Sequence, residues 1–200
     1  MKPIICLLDA NNNHPAFGPT VAERIAALGK EHLWNDRPAG ARINTIVLHY
    51  MSTVEDYDGD PFDFEKILAV FCKHGVSSHY LIARDGSLFL LVPEEMRAWH
   101  AGGSIMPEPD NRTNVNDFSL GIELVALHAS GYTDDQYAVL AQLCREVESR
   151  YPGQCSYAGH SDIAGERAVA LGLRPKAKID PGPLFDWNRF FLIKAGSVTR

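Results

Sequence analysis

Apolar residues in this chain switch between two spacings. Residues 43–51 are an apolar, β-branched run, which predicts a buried strand. Residues 63–74 instead place their apolar side chains on one helical face, and Gly75 follows as a stop signal. Residues 119–127 alternate Leu, Ile and Leu with Gly, Glu and Val, which predicts a second strand. Each of the three segments therefore has a clear type.

Turn and capping signals mark the elements between them. Residues 79–84 and 87–92 flank an Asp-Gly pair typical of a type I′ hairpin turn. Thr20 opens a capping box and predicts a short helix ending at Gly29. A second cap at Thr133 predicts a long helix to about Arg150, and a last helix should begin after Asp186. The long helix should turn these side chains inward: Tyr137, Leu140, Leu143, Cys144 and Val147.

The order of these elements indicates the fold class. Strands and helices alternate without an internal repeat, which predicts an α/β fold with a central mixed sheet flanked by helices. Two hundred residues fit one domain. Residues 1–40 are rich in turn signals and are expected to form an N-terminal arm packed on a domain of residues 41–195. A polar loop is expected near residues 102–116.

Composition excludes several classes of partner. The net charge is −6 and no run of Lys or Arg stands out, so neither nucleic acid nor an anionic membrane is an expected partner. No window holds the roughly 20 apolar residues of a membrane span, and the apolar stretch before Asp9 is shorter than a signal-peptide core. We therefore expect a cytoplasmic monomer, or a cell-envelope protein if a leader precedes this sequence.

The four cysteines lack a metal-binding or redox spacing. None forms a C-x-x-C pair, and Cys72 and Cys144 fall on apolar faces of predicted helices. A cysteine in such a position behaves as a small hydrophobic residue. We interpret them as structural thiols.

Two polar side chains lie within apolar strands. His49 ends the first strand, where a lone histidine is more often a structural or surface residue than a ligand. Glu123 lies in the middle of an apolar strand, and burial of an unpaired carboxylate costs several kcal/mol. Such a carboxyl is expected to be paired, protonated or facing a cavity; the alternative is an edge strand whose glutamate faces water.

Two further residues complete a candidate set. His160 follows Tyr157-Ala158-Gly159 at the junction of a short strand and a loop, and Asp180 precedes a Pro-Gly-Pro segment that holds it outside regular structure. Two histidines and one carboxylate give three ligands, the number that leaves zinc one open position. These residues are far apart and form no zinc-protease motif, so the residues alone indicate only a possible metallohydrolase.

Six collinear blocks between residues 43 and 190 resemble a known family. They are IVLHY at 46–50, VSSHYLI at 76–82, RAWHAG at 97–102, NDFSLGIEL at 116–124, GHSDIA at 159–164 and DPGPLFDW at 180–187. With these blocks the chain resembles the N-acetylmuramoyl-L-alanine amidases of the AmpD-like family, kin to phage lysozyme-type amidases and peptidoglycan recognition proteins. Any one block alone would be a weak signal.

The resemblance implies a function and a site. It implies Zn²⁺ held by His49, His160 and Asp180 at one edge of the sheet groove. It implies hydrolysis of the amide between N-acetylmuramic acid, or its 1,6-anhydro form, and L-alanine of the stem peptide, in cell-wall recycling or remodelling. Glu123 matches the catalytic glutamate, and Lys178 matches a lysine that stabilises the oxyanion.

Substrate contacts are predicted on the same basis. Tyr50, Trp99 and His100 are expected to contact peptidoglycan fragments, the alternative being a core Trp beside a surface His. His79 is expected to point inward, where it either supports a metal ligand from behind or is structural. The rival function is recognition of peptidoglycan fragments without cleavage. Such relatives typically lack a zinc ligand, whereas this chain has all three.

The chain departs from the compact members of the family in two places. Residues 165–178 form a longer link before the metal-ligand aspartate, and within it Lys176 competes with Lys178 for the oxyanion role. Tyr50 stands where the cytoplasmic anhydro-muropeptide enzymes carry Asn, as in the broader-specificity, envelope-located branch. The sequence therefore predicts a broad substrate range.

Overall fold

In the part of the chain that the structure describes, the main sheet has six strands and a separate sheet has two. The computed structural model describes residues 1–153 and 155–197. The strands are β1 (Ile4–Ile5), β2 (Trp34–Asp36), β3 (Thr45–Met51), β4 (Tyr80–Ile82), β5 (Leu88–Leu90), β6 (Met96–Ala98), β7 (Ser119–Val125) and β8 (Ser156–Gly159). The helices are α1 (Gly18–Ala27), α2 (Phe64–His74), α3 (Asp134–Arg150), α4 (His160–Ala164), α5 (Glu166–Ala170) and α6 (Trp187–Lys194), with a 3₁₀ turn at Val115–Asp117.

The main sheet is mixed, as predicted. Its strand order is β1-β5-β4-β7-β3-β8, and β2 pairs with β6 in the small sheet. Strands β4, β7, β3 and β8 run parallel, whereas β5 is antiparallel to β4. The four parallel strands therefore end at the same edge of the sheet. Strand β7 lies between β4 and β3, so Glu123 is on a central strand and not on an edge.

Each face of the sheet has its own hydrophobic layer. On one face Leu48, Ile122 and other even-numbered strand residues pack with α3 and α6 in one buried cluster. On the other face Leu81 and Val125 pack with α1 and α2. A third, smaller cluster around Val47 lies under the loop that precedes the 3₁₀ turn. The sheet is therefore buried on both sides, and a polar residue in a central strand has few neighbours that can solvate it.

Local capping signals explain the ends of two helices. The Asp63 side chain accepts the Lys66 N–H at 3.1 Å and begins α2, and Gly75 ends the helix with a φ of 61°. Thr133 and Gln136 form the predicted capping box of α3. The five inward side chains predicted for α3 are all buried. The predicted stop at Gly75, the cap at Thr133 and the inward face of α3 are therefore confirmed.

Two turn predictions are wrong. Helix α1 begins at Gly18 after Phe17, so Thr20 lies inside the helix and does not cap it; proline in the first turn supplies the start instead. In the hairpin, Gly86 has a φ of 81° but Asp85 does not share its positive φ, as a type I′ turn requires. The Ala83 N–H donates to the Ser87 carbonyl at 2.9 Å, which closes a three-residue loop.

Residues 1–40 contribute to the core. Strand β1 pairs with β5 at the edge of the main sheet, and Leu8, Ile25 and Leu33 are fully buried in the cluster with α2. Within residues 1–153 and 155–197, no helix is both long enough and apolar enough to cross a membrane.

Candidate metal centre and active site

The carboxyl ends of three parallel strands bring the candidate residues together. His49 lies near the end of β3, Glu123 lies opposite it in β7, and His160 directly follows β8 as the first residue of α4. The predicted loop at His160 is therefore wrong, because a short helix begins there. Asp180 comes from the segment before α6, and its carbonyl accepts the Ser161 N–H at 2.8 Å. This hydrogen bond holds the aspartate beside α4.

Three donor atoms from these elements converge on one point. Nδ1 of His49 lies 3.0 Å from Nδ1 of His160, and each nitrogen lies 3.1 Å from Oδ2 of Asp180. All three residues are buried. Zinc with ligands at about 2.0–2.1 Å in a tetrahedron separates its ligand atoms by roughly 3.3 Å, so the triangle fits the ion within a few tenths of an ångström.

The protonation of the cluster suits a cation. Burial opposes ionisation of Asp180, but its close contacts with the ring nitrogens of His160 and His49 outweigh burial and hold the pKa of the carboxyl well below its usual range. Burial, together with the neighbouring His49, lowers the pKa of His160 to about 4. At neutral pH the cluster therefore offers an ionised carboxylate and a neutral imidazole, the forms that bind metal.

Glu123 lies beside this cluster in an unusual environment. Its Oε2 is buried and has no hydrogen-bond partner in the part of the chain that the structure describes. Burial raises the pKa of Glu123 to about 7; the charge of His49 opposes the rise, Asp180 adds to it, and Lys178 opposes it. A carboxyl with a pKa near 7 can both take up and release a proton at neutral pH.

The two candidate lysines differ in their relation to the cluster. The Lys178 side chain is exposed, while its backbone N–H donates to the Ala164 carbonyl at 2.9 Å, at the end of α4. Its positive charge contributes to the pKa values of both Glu123 and His160. The Lys176 carbonyl instead accepts the Arg174 side chain at 2.6 Å. Electrostatic proximity thus favours Lys178 over Lys176.

Two tyrosines flank the cluster, and only one was predicted. Tyr50 is half-buried, and its ring lies 6.4 Å from that of the exposed His128. Burial, and then the charge of Asp180, raises the pKa of Tyr50. Tyr132 donates its hydroxyl to the Pro181 carbonyl at 2.7 Å and so supports the segment that carries Asp180. No sequence pattern marks Tyr132, because it follows a loop glycine and belongs to no motif.

His100 lies behind the cluster and not in the groove where a substrate contact was predicted. It is 8% exposed, and its Nδ1 lies 3.0 Å from Nε2 of His49. The physical reason is Gly121 on β7: a Cβ there would lie 2.5 Å from Cγ of His100, so the absent side chain makes room for the ring. The ring therefore contacts a candidate ligand from inside the protein.

Trp99 also lies apart from the cluster. Its Nε1 donates to Oδ1 of Asn35 at 2.6 Å, and Lys30 lies 4.4 Å above its ring. The ring packs against the hydrophobic layer of α1 and α2. The ring of Trp99 thus packs on the side of α1 and α2, whereas the ring of the next residue, His100, contacts His49.

His79 is buried, as its predicted inward orientation requires. Its Nδ1 accepts the Gly121 N–H at 3.0 Å, and its Nε2 lies 3.1 Å from the Met96 carbonyl. Arg37, which sequence reasoning missed, lies 3.0 Å from the same nitrogen and donates to the carbonyls of Glu94, Asn116, Asp117 and Ser119. A single arginine thus joins the N-terminal region to the start of β7.

Comparisons with known proteins identify the family. A family model described as N-acetylmuramoyl-L-alanine amidase matches residues 39–183. The 1,6-anhydro-N-acetylmuramyl-L-alanine amidase AmpD of Enterobacter cloacae is 36% identical over 166 residues, covering 77% of this chain and 82% of that protein. The N-acetylmuramoyl-L-alanine amidase AmiD of Escherichia coli K12 is 32% identical, covering 74% of this chain and 52% of AmiD. The crystal structure of a selenomethionine AmpD derivative superposes with a TM-score of 0.63 at 35% identity, covering 80% of this chain and 89% of that one.

Proposed function

The chain belongs to the N-acetylmuramoyl-L-alanine amidase family, and on that premise we propose that it hydrolyses peptidoglycan fragments. The bond cleaved is the amide between the lactyl group of N-acetylmuramic acid, or of its 1,6-anhydro form, and L-alanine of the stem peptide. The names of the relatives support this substrate class. The reaction serves cell-wall recycling or remodelling.

The proposed cofactor is one zinc ion. His49 and His160 would hold it through Nδ1 and Asp180 through Oδ2, because these atoms converge at 3.0–3.1 Å. When bound, zinc supplies Lewis-acid chemistry: it polarises a carbonyl and makes water more acidic. Three protein ligands leave a fourth position of the tetrahedron open, as catalytic zinc sites do.

Glu123 is proposed to carry the proton. Its carboxyl would take a proton from the attacking water and deliver it to the nitrogen of the departing L-alanine. Its pKa of about 7, raised by burial, suits both halves of this transfer. The unpaired, buried Oε2 supports this role, since a catalytic function is one reason for a buried polar atom to lack a hydrogen-bond partner.

Lys178 is proposed to stabilise the negative charge that develops on the carbonyl oxygen. Its ammonium is exposed and close enough to alter the pKa values of Glu123 and His160. A cation fixed beside the site stabilises an oxyanion more than it stabilises a neutral carbonyl, and so it lowers the barrier. Tyr50 is proposed to contact the sugar or peptide, because its half-buried ring borders the cluster.

One observation carries the proposal: at the end of the parallel strands, a glutamate whose Oε2 is buried and unpaired lies beside the donor triangle. A recognition protein that does not cleave needs neither zinc nor a proton-transfer group. We expect mass spectrometry of products from defined muropeptides to show the free stem peptide and the peptide-free sugar. Tight binding with no cleavage in the presence of zinc would favour the recognition function.

A further inference from the structure

A chain of hydrogen bonds connects His49 through His100 and Ser119 to the backbone carbonyl of Val115. The Ser119 hydroxyl donates to the Val115 carbonyl at 2.6 Å. Since a carbonyl only accepts and a hydroxyl has one proton, the Ser119 oxygen must act as acceptor for its other neighbour. That neighbour is Nε2 of His100 at 3.2 Å. The proton of His100 is therefore on Nε2.

The position of that proton decides the next contact. A neutral imidazole with its proton on Nε2 has a lone pair on Nδ1. Nδ1 of His100 lies 3.0 Å from Nε2 of His49, so His49 must donate here. His49 then carries its proton on Nε2, and its Nδ1 has the lone pair that faces His160 and Asp180.

The surroundings hold the His100 ring in this orientation. Oδ1 of Asn116 accepts the backbone N–H groups of His100 and Ala101 at 3.1 and 2.7 Å. The missing side chain of Gly121 leaves the space that the ring occupies. His160 has no such support: its Nε2 is buried and has no hydrogen-bond partner in residues 1–153 and 155–197.

We propose that Ser119 and His100 are positioning residues that fix the tautomer of His49 and thereby strengthen zinc binding. The inference rests on the proposed function, since it takes His49 as a zinc ligand. Hydrogen bonds to the second nitrogen of a ligating histidine typically change metal affinity by about 10–100-fold. Most of that effect should reside in His49 and not in His160.

The test is the zinc dissociation constant, measured by competition with a chelator in folded variants. Ser119→Ala and His100→Leu should each weaken zinc binding by about 10–100-fold. His100→Asn should weaken it less than His100→Leu, because the amide oxygen can replace Nδ1 as acceptor. Ser104→Ala is the matched control: Ser104 is equally buried and bonds to Ala101 and Val115, but not to His100. The zinc dissociation constant of Ser104→Ala should lie within about threefold of the wild-type value.

A second measurement does not depend on the variants folding. Imidazole ¹⁵N spectra of the zinc-loaded wild type should show His100 with its proton on Nε2. A proton on Nδ1 of His100 would overturn the inference, as would wild-type zinc affinity in both Ser119→Ala and His100→Leu. These results leave the proposed function intact if the wild type binds zinc and cleaves muropeptides. A wild type that binds no zinc would overturn both.

Discussion

His49 and Glu123 are register partners on the adjacent parallel strands β3 and β7. Partners in such a ladder point to the same face of the sheet, and their strands lie about 4.8 Å apart. The backbone therefore fixes the distance between a candidate zinc ligand and the candidate proton carrier. Neither residue needs a flexible loop to reach the other.

Glu123→Gln is expected to keep zinc and the fold but to lose about 10²–10⁴-fold in kcat, because the amide cannot accept and release the proton. The measurement is steady-state turnover of a defined muropeptide together with zinc content. Glu95→Gln makes the same chemical change at an exposed carboxylate and serves as the control. Turnover of Glu123→Gln within a few-fold of wild type would mean that another group carries the proton.

Zinc content tests the ligand assignment directly. The wild type should carry about one zinc per chain, and His49→Ala or Asp180→Ala should lose it because two ligands bind weakly against buffer. His128→Ala is the matched control, since His128 is exposed near Tyr50 but is not part of the donor triangle. Full zinc occupancy in either ligand variant, measured by elemental analysis, would contradict the assignment.

Steady-state kinetics can decide which of Lys178 and Lys176 stabilises the oxyanion. Lys178→Ala is expected to lower kcat by about 10²-fold with a small change in KM, because an oxyanion contact acts mainly in the transition state. Lys176→Ala should stay within a few-fold of wild type, since the contact seen for this residue is between its carbonyl and Arg174. The reverse ranking of the two variants would assign the role to Lys176.

Local signals predicted most of the fold, and the family blocks predicted the candidate ligands. Asp63, Gly75 and Thr133 act on residues within one helical turn, so their effect can be read from the sequence. The site depends on contacts between distant residues: His49 and Asp180 are separated by 131 positions. Spacing alone could not show that they meet.

The place of His100 could not be predicted for a related reason. Its burial depends on the missing side chain of Gly121, a residue 21 positions later on a strand that His100 does not pair with. The sequence gives no direction for a ring in an irregular segment. Ser119 looked like an ordinary strand residue, because its role depends on two hydrogen bonds that only the folded chain assembles.

The free energy of unfolding should decrease as the pH is lowered, and His79 should contribute to that decrease. Burial, and then the charge of Arg37, lowers the pKa of His79 to about 3, below its ordinary 6.5. Between these values the unfolded chain binds a proton at this position and the folded chain does not. The free energy of unfolding should therefore decrease as pH falls below about 6.5, by up to about 1.4 kcal/mol per pH unit from this residue.

His79→Asn isolates that contribution. The amide oxygen can still accept the Gly121 N–H, but the group that titrates is gone. Denaturant unfolding of the zinc-free proteins from pH 7 to pH 4.5 should give a shallower decline for the variant, although it starts from a lower stability. If the free energies of unfolding of the two proteins decline in parallel with falling pH, His79 is not the source of the pH dependence.

The link at residues 165–178 packs against the loop that follows His100. Arg167 in α5 donates to the Met106 carbonyl at 2.9 Å, and a Cβ on Gly103 would collide with the Leu173 carbonyl. The longer link therefore packs against the loop that follows His100.

Substrate range is the last expectation, and it depends on Tyr50. A tyrosine ring offers a stacking surface and one hydroxyl, which suits a groove that accepts both ordinary and anhydro-muramyl peptides. Shape alone discriminates between related ligands by about 10–200-fold, whereas dedicated hydrogen bonds reach much higher ratios. We expect kcat/KM values for matched substrates that differ only in the sugar to lie within about 200-fold, and Tyr50→Asn to increase the preference for the anhydro form. A wild-type ratio above about a thousand would show that polar groups select one sugar, and the broad-range prediction would be wrong.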